Sequence, residues 1–553
     1  MRAGYPKLSV KGSVTDMKTR SQRSGRTGKI VRGAAVLLAS LMASTLVLGG
    51  CSGGGGDTES KLPAVEGGRG GQTLKFTYLR PVWGAATYVK GGAYEKAFEE
   101  YANVDIDVQI IPVTEYDGKV KTIVAGGNLP DVMWAAGPAD VYWRELEEQG
   151  AFADIDKMLD AHPEVKNKVS DTVWQWMRNP DDNKTYFLPN TVAAEAPFLT
   201  YYRKDWFEAQ NIPEPTTIGE LEEALKKIKT AYPDAVPITV GMGGLEWMFK
   251  DLATSFGATV SGWVPSEADA NVLVPYTTTK ACENYFFWLQ DLRRSELLDA
   301  EAGLNPDTTF GETKFITGKA AVIPNVYNRY TVMAAALKKN DPNAEIGILP
   351  PLKGPDGIQG GTRMSSPYDR GLYFSATSKV TEQFFEFWEW YLTDGSDFRR
   401  FGVEGEMYKV VDGKKITIPD DERKEDFKNS QVEPLSFLST AEEQLDFENI
   451  WKPTFEANGL ADQYDYWYQR FQEYCEVQYP DYLNPTVRSK TSEEKGGQIY
   501  NATIGAVYGS ILLNVEGTRK EYQDAVADWL ERGGQQIIDE INAGQPDKSK
   551  PNF

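Results

Sequence analysis

One histidine, three cysteines and no glycine-rich phosphate loop set narrow limits on the chemistry open to this 553-residue chain. A Ser-His-Asp or Cys-His apparatus would have to use His162, which is followed by Pro163 and reads as a surface loop residue. No Gly-x-Ser-x-Gly elbow accompanies it, and no P-loop or dinucleotide fingerprint is present. With a single His and no cysteine cluster, the usual zinc sites have no ligand set. A calcium loop beginning at Asp181-Asp-Asn183 breaks down at its sixth position, Tyr186, and at its twelfth, Val192, where glycine and glutamate are required. Carboxylate runs such as Asp420-Asp421-Glu422 read as solvated surface. What remains abundant is aromatic surface, with 14 Trp and 28 Tyr. No cofactor and no metal site is expected.

These residues need elements to hold them. Residues 73–79 alternate like a strand, 94–101 have helical spacing, and 104–111 alternate again. A helix over 116–125 and a short buried strand at 131–134 continue the pattern. Strands interleaved with helices point to βαβ units and a mainly parallel sheet. A second group starts near 199–202. Thr217 followed by Glu220 forms a capping box after Pro215, and Ile218, Leu221, Leu225 and Ile228 then recur at helical spacing. Further strands are expected at 320–323 and 371–374. The helix 381–392 carries Phe384, Phe385, Trp388 and Trp390, which read as core. Cys282 and Cys475 could pair in an export compartment or stay as buried thiols.

The N-terminus specifies that compartment. Residues 1–51 hold nine Lys/Arg against one Asp, which leaves a net charge of −29 on residues 52–553. So acidic a body argues against nucleic-acid binding. The basic stretch ends in an apolar run over 34–48, too short to span a bilayer as a helix. It is followed by small residues, the pattern of a removable signal peptide over 1–50, with Met17 a second candidate start. Leu48-Gly49-Gly50-Cys51 resembles the lipobox of bacterial lipoproteins, which makes Cys51 the expected lipidation site. The glycine-rich stretch 51–72 reads as a flexible tether.

Several segments together resemble the extracellular solute-binding proteins of carbohydrate ABC importers, the family that includes maltodextrin-binding proteins. They are Ala125-Gly-Gly-Asn-Leu-Pro-Asp-Val-Met133, Gly150-Ala-Phe-Ala-Asp-Ile155, Asp182-Asn-Lys-Thr-Tyr186 and Tyr201-Tyr-Arg-Lys-Asp-Trp206. Phe315-Ile-Thr-Gly-Lys-Ala-Ala-Val322 is similar to a lobe-crossing segment. Trp390-Tyr-Leu-Thr-Asp-Gly-Ser-Asp397 and Phe401-Gly-Val-Glu-Gly-Glu-Met-Tyr408 resemble large Gram-positive lipoproteins of oligosaccharide uptake. The resemblance implies an α/β, two-lobed, periplasmic-binding-protein-like clamp of type II that closes by hinge motion. Lobe one is expected over 73–190 plus 323–370, and lobe two over 191–322 plus 371–545.

The resemblance further implies a monomeric, non-enzymatic protein. It would be held outside the cytoplasm by the lipid on Cys51 and would deliver an oligosaccharide to the transmembrane permease subunits of an ABC transporter. Sugar rings stack their C–H faces on aromatic side chains and offer hydroxyls to polar ones. The candidate ligand-binding residues are Trp83 and Trp134 at strand ends, the pair Glu246 and Trp247, then Asn325, Tyr327 and Asn328, then Arg370, Glu404 and Tyr408. Two other readings stay open. The same fold could take a polyamine or peptide, and a lipid-anchored glycoside hydrolase would need two carboxylates about 5–9.5 Å apart across a cleft.

Overall fold

The computed structural model describes residues 68–82, 88–241, 248–305, 309–363, 366–411, 413–479, 482 and 487–545. Its strands, in chain order, are β1 (Leu74–Val82), β2 (Val104–Pro112), β3 (Val132–Ala135), β4 (Phe187–Thr191), β5 (Phe198–Arg203), β6 (Val236–Ile238), β7 (Trp263–Pro265) and β8 (Leu273–Pro275). They continue with β9 (Ala320–Val326), β10 (Ile346–Ile348), β11 (Thr362–Arg363), β12 (Tyr368–Phe374), β13 (Tyr408–Val411), β14 (Lys414–Thr417) and β15 (Gln478–Tyr479).

Two sheets carry the architecture. The first has the order β2-β1-β3-β12-β4 and the second β10-β5-β9-β6. In the first, β1 runs parallel to β2 and β3, as βαβ connections through the helices Ala93–Ala102 and Val113–Ala125 require. Strand β12 enters antiparallel to both β3 and β4. In the second sheet β5 is antiparallel to β9 and β10, and only β6 with β9 is a parallel pair. The mainly parallel expectation therefore holds for the βαβ half of the first sheet alone. Strands that return from elsewhere in the chain come in from the opposite end.

The division between lobes also differs from expectation. Residues 320–326 and 346–348 pair within the second sheet, whereas 368–374 pair within the first. The aromatic helix Thr381–Leu392 packs on the first sheet, with Phe76 edge-on to Phe384 at 5.5 Å and Tyr78 stacked on Phe437 at 4.7 Å. Residues 323–363 thus belong with the second sheet, and the stretch from β12 to Leu438 belongs with the first. Likewise 315–322 does not cross between sheets. Phe315 and Ala320–Val326 stay in the second lobe's core. Phe384 and Phe385 are fully buried, each worth about 1.5–3 kcal/mol of apolar burial. The capping box forms as read, with Thr217 Oγ1 accepting from the Glu220 N–H on the helix Ile218–Ala231.

His162 is not a surface residue. It is buried in the first lobe, with Nδ1 2.8 Å from Glu389 Oε2 on the aromatic helix. Cys282 and Cys475 form no disulfide with each other. Burial pushes the Cys475 thiol up to about 12, which leaves it inert. Among the described residues no helix is long and apolar enough to cross a membrane.

Candidate functional site

Three stretches of chain pass between the sheets: 192–197 after β4, the described residues 366–367 before β12, and 439–446, which leads from Leu438 in the first core to Phe447 on the second. They are bonded side by side. Asn190 Oδ1 accepts from the Ser439 N–H at 2.6 Å, and Asn190 Nδ2 donates to the Asp369 carbonyl at 3.3 Å. Thr191 Oγ1 accepts from the Ala441 N–H at 3.2 Å. The Val192 N–H donates to the Pro367 carbonyl at 2.9 Å, and the Ala193 N–H to Gln444 Oε1 at 3.1 Å.

Gln444 is the node of this network. Its carbonyl accepts from Trp451 Nε1 at 2.8 Å and from the Tyr327 hydroxyl at 3.3 Å, while its amide donates to Ser439 Oγ at 3.2 Å. One residue before it, Glu443 receives both guanidinium arms of Arg399, from the helix Ser396–Phe401 of the first lobe. Burial raises that carboxyl and the Arg399 hydrogen bonds lower it further, so it lies below its ordinary value. The third crossing is therefore clamped to one lobe at Glu443 and to the other at Gln444.

Trp134 lies near the end of β3, buried to 6% exposure. Its carbonyl accepts from the Tyr116 hydroxyl at 2.5 Å, and the Arg80 guanidinium sits over its ring, 5.6 Å from the centroid. Arg80 is itself locked by the Ser436 carbonyl at 2.6 Å, Ser436 Oγ at 2.7 Å and Glu433 at 3.3 Å. The indole Nε1 is buried without a hydrogen-bond partner. Such orphaned donors are rare in folded proteins.

Where β9 ends, Asn325 is fully buried and already used. Its Nδ2 donates to Glu312 at 2.7 Å and its Oδ1 accepts from the Val326 N–H at 2.9 Å. The absence of a side chain at Gly241 makes room for it, since a Cβ there would meet the Asn325 amide at 2.5 Å. Tyr327 follows, at 7% exposure, edge-on to Trp451 at 5.5 Å, and Asn328 beside it is exposed. Arg370 occupies the left-handed region (φ +61°) where the β12–β4 register shifts between Tyr368 and Gly371, and it pairs with Asp369 at 3.4 Å. A bulge of this kind re-aims a side chain and holds local strain near functional sites.

The structure brings Tyr327 and the Arg370 bulge onto the crossing network. Tyr327 bonds Gln444, and Asn190 bonds the residue beside Arg370. Glu404 and Tyr408 lie elsewhere. They pair with each other at 3.4 Å, with Lys415 over the Tyr408 ring at 5.5 Å, and share no partner with the crossings. Asn325 serves the strand end rather than offering an open amide. Trp83, Glu246, Trp247 and Cys51 fall outside the described residues. Asn190, Arg80, Gln444 and Trp451 were missed in the sequence because their partners lie far along the chain. Among the described residues no group of three or more His, Cys, Asp or Glu is arranged to hold a metal.

Comparison with known proteins agrees with this geometry. A model of the family described as bacterial extracellular solute-binding protein matches residues 85–397. Lipoprotein LipO of Bacillus subtilis (strain 168) is 21% identical over 467 residues, covering 81% of this chain and 87% of LipO. The polygalacturonan/rhamnogalacturonan-binding protein YtcQ of the same strain is 22% identical over 458 residues, covering 80% of this chain and 86% of YtcQ. Among solved structures, the S. pneumoniae ABC-transporter substrate binding protein FusA in complex with kestose superposes with a TM-score of 0.65 at 15% identity. That match covers 85% of this chain and 98% of FusA. A match of this extent establishes the two-lobed fold.

Proposed function

The chain belongs to the bacterial extracellular solute-binding proteins, and from that membership we propose that it captures an oligosaccharide between its lobes and delivers it to an ABC permease. The observation that carries the reading is the triple crossing. Three chain passages bonded edge to edge, with Gln444 as their node, make a hinge about which two rigid sheets can close. In this reading lobe one takes about residues 73–191 plus 366–440 and lobe two about 198–363 plus 445–545, a division that the two sheets and their cores support.

The sugar contacts are Trp134 for stacking and hydrogen bonding, with Tyr327, Asn328 and Arg370 near the crossings. Trp83, Glu246 and Trp247 complete the set. YtcQ, named for binding polygalacturonan and rhamnogalacturonan, and FusA, solved with kestose, support a glycan as ligand. Capture proceeds without catalysis, and the transport energy comes from a separate ATPase. The protein is monomeric and is held at the outer face of the cell membrane by lipid on Cys51, with residues 52–72 as its leash.

A thermal-shift screen of the chain tests this, with galacturonan, fructan and N-glycan oligosaccharides, monosaccharides, spermidine and short peptides as probes. A ligand at 100 times its dissociation constant stabilises by about 2.7 kcal/mol. A shift with one oligosaccharide class and none with monosaccharides is expected. Shifts with spermidine or peptides alone would overturn the ligand class, and release of shorter sugars during incubation would overturn the absence of catalysis.

A further inference from the structure

Away from the crossings, one arginine of the second lobe reaches carboxylates of the first. Its backbone is fixed from both sides by the C-terminal helix Gln535–Gly544. Ser489 Oγ donates to Glu540 at 2.7 Å, the Thr491 N–H at 3.0 Å and Thr491 Oγ1 at 2.7 Å, while Val487 packs beside Gly544. Between these anchors Arg488 Nε bonds Glu493 of its own lobe at 2.5 Å. Its Nη1 lies 3.1 Å from Glu148 and 3.5 Å from Asp181, both in the first lobe.

The first-lobe side is prepared for a cation. Glu148 is the last residue of the helix Val141–Glu148, where the helix dipole is negative and a positive partner is favoured. Asp181 sits in a turn pinned by Asn179, whose Oδ1 accepts the Asp181 N–H at 2.9 Å and whose Nδ2 donates to Glu147 at 3.0 Å. Glu147, Glu148, Asp181 and Asp182 all line one hollow of about 410 Å³. Without Arg488, this acidic face would oppose Glu493 across the lobe boundary, like charge against like.

We propose that Arg488 is an interlobe latch, a guanidinium carried by the second lobe that locks onto Glu148 and Asp181 of the first and adds stability to the closed clamp. Its consequence for ligand affinity rests on the capture reading above.

Small-angle X-ray scattering of the ligand-free, full-length chain provides the test. Arg488→Glu is expected to expand the chain and to lower its closed fraction roughly fivefold, the scale of a half-exposed ion pair. The wild type should expand the same way on raising NaCl from 0.1 to 1 M, where the screening length drops to about 3 Å. The charge-swapped pair Arg488→Glu with Glu148→Arg should return the scattering to the wild-type curve. Wild-type scattering from a folded Arg488→Glu chain would overturn the proposal, as would a swap that fails to restore compaction. Should Arg488→Glu fold poorly, Glu148→Gln with Asp181→Asn asks the same question from the other lobe. A sugar panel without shifts would sink the capture reading and leave this result standing.

Discussion

The indole N–H of Trp134 is buried without an acceptor, as are a few other side-chain donors among the described residues, Arg293 Nε and Thr381 Oγ1 among them. In the free protein that donor costs desolvation and returns nothing. A bound sugar hydroxyl would supply the missing acceptor. Trp134→Phe keeps an aromatic face over Arg80 and removes the donor together with part of the buried ring, so the melting temperature of the free protein should fall only slightly, relief of the unmet donor offsetting part of the small cavity's cost. Affinity for the oligosaccharide should fall about tenfold, the size of one hydrogen bond left unmade. Calorimetric titration beside a thermal melt reads both. An unchanged affinity would assign Trp134 to the core alone. Trp134→Ala is the poorer test, because a 94% buried indole leaves a cavity that would cost about 3–5 kcal/mol by itself.

At the scale of elements, what periodicity and capping dictate was readable, and what distant pairing dictates was not. The strands at 74–82 and 104–112, the helix at 381–392 and the Thr217 cap all follow from spacing within a dozen residues. The membership of β9 and β12 does not. Both are short buried runs, and whether each joins the first or second sheet depends on partners 84 or more residues away. Trp134 could be singled out as a candidate because an aromatic at a parallel strand's end is a local feature. Gln444 and Arg488 were not, since a glutamine and an arginine look like surface until the residues that meet them are known. The segment that presents Arg488 makes a pH prediction of its own. Hydrogen bonds from Ser489 Oγ and from the Thr491 N–H and hydroxyl hold the Glu540 carboxyl down to about 2. A lowered folded-state value means that the contribution is complete above the ordinary carboxylate range near 4.5 and is lost as pH falls toward 2. Denaturation of the wild type and of Glu540→Gln should show the wild type more stable at pH 7, with the gap closing between pH 4.5 and 2. A gap independent of pH would mean that the carboxylate charge plays no part in fixing this turn.

For the molecule as a whole, charge and anchoring must be considered together. Residues 52–553 carry a net −29, so a cell surface rich in anionic lipid repels the body rather than holding it. On the proposed reading, retention falls on the N-terminus, where Leu48-Gly49-Gly50-Cys51 offers a thiol for a diacylglycerol thioether. A single acyl chain binds membranes only marginally, whereas two make a stable anchor. An anchor of that kind is indifferent to ionic strength, while electrostatic attachment is not. Wild-type protein in a washed membrane fraction should therefore stay bound in 1 M NaCl and be released only by detergent. Cys51→Ser should appear in the culture medium at undiminished melting temperature, because the change lies outside the described fold. Ligand affinity should be the same for the released and the anchored forms. If Cys51→Ser stayed with the membrane through the salt wash, the apolar run at 34–48 would be the anchor, and the tethered-clamp picture would give way to one in which the leader is retained.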